Sequence, residues 1–174
     1  MAYLTFSDLN SRTFTRAGVL NESIAVKRSW DKTVFLSYRH QDRQWVDPIV
    51  RLLKGLGVAV YIDYLDQTLE EQTNDQVAQT LRKRISGSSK FIAMATPNSG
   101  QSRWMPWELG LGDRIINYGN VAILPLTENA STWHDQENGK IYGRIEKTNF
   151  GNGTNWSVLF PDNKRVDLKI WLSS

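Results

Sequence analysis

The chain has 174 residues, 40% of them hydrophobic and 22% charged, which suits one compact domain with a sizeable core and excludes disorder or a coiled coil. Its net charge of +3, from 21 basic and 18 acidic side chains, is too weak and too scattered for a nucleic-acid footprint. The absence of cysteine excludes disulfides, thiolate nucleophiles and cysteine zinc sites, and two histidines, His40 and His134, offer little for a metal cluster, so no metal site is predicted.

Residues 1 to 32 carry no strong period and read as an extension: an ordered one, an interaction arm or a disordered tail. The opening MAYLTFSDLNSRTFTRAG lacks both a basic n-region and an apolar h-region, so no secretory signal is read and a cytoplasmic protein is expected. TVFLSY (33 to 38) is a β-branched and aromatic run ending in polar RHQD, as a buried parallel strand would. Trp45, Ile49, Leu52, Leu53 and Leu56 then recur at helical spacing. Pro48 falls inside that pattern, and with Asp47 as N-cap it becomes the first residue of the main helix; the alternative is a kink in a longer one.

VAVYID (58 to 63) reads as the second strand, and YLDQTLEEQTND after it has no apolar period and reads as a long loop. Val77, Leu81 and Ile85 mark a helix capped by Thr73 or Asn74, with Arg82, Lys83 and Arg84 as a solvated basic end. KFIAMA (90 to 95) is the third strand, TPNSGQS breaks it, a helix follows from about 105 to 117, and VAILPL (121 to 126) is the fourth. That run is far short of the roughly 20 apolar residues a membrane span needs. Beyond it ENASTWHDQENGK is loop-like, while GKIYGRIEKT and SVLFPDNKRVDLKIWL read as strands around turns, with Pro161-Asp162-Asn163 as one turn. The final VDLKIWL fits either a strand or a short helix.

Short strands alternating with helices imply an α/β domain over 33–174, with a central, mostly parallel sheet covered on both faces. Its best-defined part is 33–126, and 127–174 is the C-terminal part. Ligands in such sheets bind beyond the carboxyl ends of the strands, which selects SYRHQD, DYLDQT and TPNSGQSRWMPWE. In the last of these Pro106 suits the first turn of a helix, so Glu108 should lie near a helix N-terminus facing the strand ends. Trp104 lies near the same mouth, where it can stack on a flat ring, whereas Trp107 is expected to pack inside. A plainer reading makes Glu108 a helix-end acid favoured by the dipole, and pairs Arg39 with Asp42 or Asp63 on the surface.

Taken together, VFLSYRHQD, VYIDYLD and SRWMPWEL resemble, in order, the first box, the strand leading into the second loop and the Ser-x-Trp-x-x-x-Glu segment of the Toll/interleukin receptor (TIR) domain family. The resemblance covers about residues 33 to 126 and implies a flavodoxin-like three-layer fold. It departs from many members in that DYLDQTLEEQTND has no glycine. It further implies an enzyme cleaving NAD at the nicotinamide ribosyl bond, with Glu108 as the catalytic glutamate and Trp104 in the site; Ser37, Tyr38, Arg39 and Asp63, at the strand ends, are read as further substrate-binding residues, NAD is then substrate, and no cofactor is expected. Cleavage of a cationic nicotinamide needs no general acid, because the base leaves neutral, so one carboxylate that grips a ribose hydroxyl as positive charge develops can suffice. Similarity to short stand-alone microbial members implies an antiviral role of the Thoeris type, with self-association and a separate effector that reads the product. The alternatives are a non-enzymatic TIR adaptor acting by assembly and, more distantly, a deoxyribosyltransferase-like enzyme.

Overall fold

The computed structural model describes residues 2–10, 32–62, 75–102, 104–133, 140–150 and 153–174. Asp63 and the rest of the second loop to Asn74, Arg103, His134 and residues 11 to 31 lie outside the described residues.

Among the described residues, eight strands form one mostly parallel sheet. They are β1 (Leu4–Thr5), β2 (Thr33–Ser37), β3 (Ala59–Ile62), β4 (Lys90–Ala95), β5 (Val121–Thr127), β6 (Gly143–Phe150), β7 (Gly153–Leu159) and β8 (Arg165–Asp167). The order across the sheet is β3-β2-β4-β5-β6-β7-β8, with β1 paired to β5. Strands β3, β2, β4, β5 and β6 run parallel, β7 runs antiparallel to β6, and β8 antiparallel to β7. The α-helices among the described residues are α1 (Phe6–Asn10), α2 (Val46–Gly55), α3 (Asp75–Ser86), α4 (Trp104–Ile116) and α5 (Leu168–Ser173).

Alternation along each strand gives the sheet two apolar faces. Val34, Leu36, Ile92, Met94, Ala122 and Leu124 face a core shared with Ile49 and Leu53 of α2, Leu9 of α1 and Trp171 of α5. Phe35, Phe91, Ala93, Val121 and Ile123 face a second core with Val77, Leu81 and Ile85 of α3 and with Trp104 and Met105 of α4. This is the layered, doubly covered sheet that the alternating pattern calls for.

Several local expectations change. Helix α2 begins at Val46, after a 3₁₀ turn over His40–Trp45, so Asp47 is its second residue and Pro48 its third. The first-turn amides have no intrahelical acceptor, and Pro48 sits there without loss and without a kink. VDLKIWL is both things in succession: Arg165–Asp167 pairs with β7, and the Asp167 side chain then accepts the Ile170 N–H and starts α5. The basic residues at the end of α3 rest on aromatic rings, Arg82 5.5 Å from Trp107 and Arg84 4.7 Å from Tyr61.

The first ten residues enter the sheet itself. Leu4 pairs with Leu126 and Thr5 with Thr127, while Ala2 bridges to Lys147, so β1 wedges between β5 and β6 where they diverge. Leu4 and Leu9 are buried there, and Asp8 binds Lys147 and the Thr5 N–H and hydroxyl. Burial alone would raise the Asp8 pKa, but those donors hold its carboxyl below the usual range. Strand β1 thereby caps the carboxyl end of β5.

Candidate active site

Ser37 is the last residue of β2 and shares the sheet face of Phe35. Its register partner is Ala93 of β4, on the face that α4 covers. In α4 the residues Trp104, Glu108 and Gly112 recur at i, i+4 and i+8, and all three are buried toward the sheet. Gly112 sets how close the helix comes: a Cβ there would lie 2.8 Å from Cδ2 of Phe91. One turn nearer the N-terminus, that approach brings the Glu108 carboxylate into contact with β2, and the Ser37 hydroxyl donates to Glu108 Oε2. Both partners are almost wholly enclosed, Ser37 2% and Glu108 5% exposed.

A carboxylate in such a place is costly unless hydrogen-bonded, and a bond to an ionised acceptor is stronger than a neutral one. Glu108 is the fifth residue of α4, with the helix's positive end one turn away. It is therefore not a solvent-facing helix-end acid, because its side chain points down onto the sheet. The Ser102 hydroxyl accepts the Met105 N–H at 3.2 Å and anchors the start of the helix.

Trp104 and Trp107 both pack against the core on the α3–α4 side of the sheet, to different depths. Trp104 is buried, 9% exposed, and meets Trp107 edge to face with centroids 5.4 Å apart. Trp107, expected inside, is half-buried beneath Arg82. The reason is angular: three residues on from Trp104 the chain has turned some 60° off the Trp104–Glu108–Gly112 line, toward the neighbouring helix α3.

Of the other predicted residues, Tyr38 is half-buried against the α2 side of the sheet, on the face opposite Ser37. Arg39 does not pair with Asp42; its Nη1 donates to the Asn98 carbonyl at 2.6 Å and to Gln101 Oε1 at 3.1 Å. Asp63 lies outside the described residues. The structure thus joins Ser37 and Glu108 directly, sets Trp104 one helical turn away, and ties Arg39 to the loop that leads into α4.

Asp42 is a residue the sequence reading missed. It is 1% exposed at the carboxyl end of the sheet, accepting from the Thr96 hydroxyl at 2.6 Å and from Asn98 Nδ2 at 2.9 Å. An aspartate in a polar run such as RHQDRQ looks like a surface residue, and its donors lie more than fifty positions away.

Comparison with known proteins identifies the family of the domain. A family model described as TIR domain matches residues 34–158. A protein of Bacillus cereus (strain MSX-D12), named a probable 3′ cyclic ADP-D-ribose synthase, ThsB′, is 29% identical over 157 residues, covering 83% of this chain and 79% of its own length. A second protein, of Cytobacillus dafuensis, carries the provisional name cyclic ADP-D-ribose synthase TIR2 and is 26% identical over 92 residues. That match spans 51% of this chain and only 24% of the relative.

Proposed function

The chain belongs to the TIR domain family, its match running over residues 34–158, and from that premise we propose that it is an enzyme that cleaves NAD between nicotinamide and ribose. The observation that carries the proposal is the buried Ser37–Glu108 pair at the carboxyl end of β2, one helical turn from Trp104. Among strand-end acids of an α/β sheet, a carboxylate enclosed to this degree and oriented by a hydroxyl is a preorganised acceptor rather than a surface charge.

In the proposed reaction the glycosidic bond breaks and its electron pair stays with the pyridine nitrogen, so nicotinamide departs neutral. Positive charge grows on the ribosyl carbon and ring oxygen. Glu108 accepts a hydrogen bond from a ribose hydroxyl, and that bond strengthens as the charge grows, which is selective binding of the transition state. Ser37 holds the carboxylate in one orientation, so little reorganisation accompanies the step. Trp104 walls the site and limits water at the reacting carbon. A nucleophile then bonds to that carbon and releases its proton: water gives ADP-ribose, and an atom of the adenosine half gives a cyclic ADP-ribose.

The names of the two relatives favour cyclisation, and with it a Thoeris-type role in which a separate effector reads the cyclic product. Self-association that completes the site belongs to the same proposal. No helix among the described residues is long and apolar enough to cross a membrane.

Mass spectrometry of NAD incubated with concentrated protein tests the reading. Release of nicotinamide with a product one water lighter than ADP-ribose supports cyclisation, ADP-ribose itself supports hydrolysis, and intact NAD rejects the enzyme.

A further inference from the structure

A network of side chains joins the loop after β2 to the loop after β4, beside the Ser37–Glu108 pair. Asp42 sits at its centre, in the 3₁₀ turn His40–Trp45. Its two carboxylate oxygens are used separately: Oδ2 accepts from Thr96 Oγ1 and Oδ1 accepts from Asn98 Nδ2. The Asn98 N–H donates to Thr96 Oγ1 at 3.1 Å, and Ser99 Oγ accepts the Thr96 N–H at 2.9 Å while donating to the Met94 carbonyl at 3.2 Å. From the other side of the gap Arg39 Nη1 grips the Asn98 carbonyl and Gln101. Two elements of the β2 loop therefore hold one short stretch, residues 96 to 101, at both ends.

That stretch leads straight into α4. The Ser102 N–H donates to the Ser99 carbonyl at 3.0 Å, and the Ser102 hydroxyl accepts from Met105 in the first helical turn. Arg39, at the other end of the clasp, is two residues from Ser37. The two halves of the Ser37–Glu108 pair are thus each anchored within a few residues of the same tie. Enclosing a carboxylate is expensive, and charge-assisted bonds from two donors offset that cost only while the loop stays in place. Loss of the loop geometry therefore carries a large penalty, which makes the clasp stiff.

We infer that Asp42 is a positioning residue that, through Asn98 and Thr96, fixes the loop 96–102 and so holds Trp104 and Glu108 in register with Ser37 for the reaction. The inference rests on the NAD-cleaving reading for its catalytic consequence and on the geometry above for the clasp itself.

The test exchanges the partners. Asp42→Asn leaves one acceptor oxygen at position 42 for the two donors Thr96 and Asn98, and Asn98→Asp sets two carboxylates face to face, so each single change costs the clasp one of its two bonds to residue 42. Combining them restores the bond between residues 42 and 98 with donor and acceptor reversed, and Thr96 can still donate to the amide oxygen that then stands at position 42. Two readouts are taken on the three variants and on wild type: hydrogen exchange of the 96–102 amides without NAD, and kcat and KM for nicotinamide release. A misplacement of the catalytic group by about 1 Å can lower the rate roughly 100-fold, so a fall in kcat of roughly 10- to 100-fold is expected in each single variant. Faster exchange at 96–102 should accompany it, and both should return toward wild type in the double variant.

Unchanged exchange in the single variants overturns the clasp. Exchange that follows the swap while kcat stays constant overturns the positioning role. Should Asp42→Asn fail to fold, Asn98→Asp weakens the clasp from the exposed side of the bond. Wild-type protein that leaves NAD intact removes the catalytic consequence together with the NAD reading, and the exchange data then decide the clasp alone.

Discussion

Replacing Ser37 by alanine removes one hydroxyl from the covered face of β2 and leaves the strand's backbone pairing to β4 untouched. What is lost is the donation to Glu108 Oε2 between two almost fully enclosed groups. A hydrogen bond to a charged acceptor contributes about 1.5–3 kcal/mol, and at about 1.4 kcal/mol per factor of ten this becomes a drop in kcat of roughly 10- to 100-fold if the bond serves the transition state. The same loss leaves a buried carboxylate short of a donor, at about 1–3 kcal/mol of stability. For a chain of this size that corresponds to a fall in Tm of roughly 2–12 °C. Steady-state release of nicotinamide at saturating NAD, with thermal unfolding on the same samples, measures both. Ser37→Thr keeps the hydroxyl and should keep most of the activity. A Ser37→Ala protein with lowered Tm and unchanged kcat would rule out a transition-state role for this bond, since Ser37 would then serve only to satisfy a structural acid.

Gly112→Ala should destabilise the fold and impair cleavage together: its new Cβ would sit 2.8 Å from Phe91, which is stacked on Phe35 at 5.4 Å. The helix-propensity gain of about 1 kcal/mol is outweighed by an overpacking cost of about 1–3 kcal/mol, and thermal unfolding with a cleavage assay reads the result. Lys90 is 1% exposed, bonded to Asn120 and the Ser174 hydroxyl, and burial with the nearby Lys32 pushes its pKa down to about 8. A lowered lysine pKa means that the unfolded chain holds more protons between that value and 10.5, so Lys90 contributes stability that rises as pH increases from 8 toward 10.5. Denaturant unfolding of wild type and Lys90→Met at pH 7 and pH 10 should show this rise, on the order of 2–3 kcal/mol, in wild type only. Tyr142, pushed up to about 12 by burial and Asp113, resists ionisation in the fold, and Tyr142→Phe should weaken the loss of stability above pH 10 seen in an alkaline unfolding series.

Much of this architecture is legible in local pattern. The β-branched runs at 33–38, 90–95 and 121–126 become β2, β4 and β5, and Val77, Leu81 and Ile85 become the buried stripe of α3, because apolar period reports burial directly. Pro106 and the spacing to Glu108 likewise locate the acid near the start of α4. What depends on distant partners does not show in that way. Nothing in AYLTF announces that Leu4 will pair with Leu126, since a two-residue strand has no period to read. Nothing local separates Asp42, enclosed by donors from the β4 loop, from an exposed aspartate such as Asp47. The places of Trp104 and Trp107 were fixed by the line along which α4 meets the sheet, and Gly112, four residues beyond Glu108, marks that line in the sequence.

In the proposed reaction the Glu108 carboxylate carries the cleavage of NAD. Glu108→Gln tests this role most directly, because the amide keeps the shape of the side chain and an oxygen able to accept from Ser37 while removing the charge. Concentrated wild-type protein is expected to release nicotinamide and Glu108→Gln essentially none, with the two proteins unfolding at similar temperatures. Nicotinamide release by a folded Glu108→Gln protein at the wild-type rate would contradict that role.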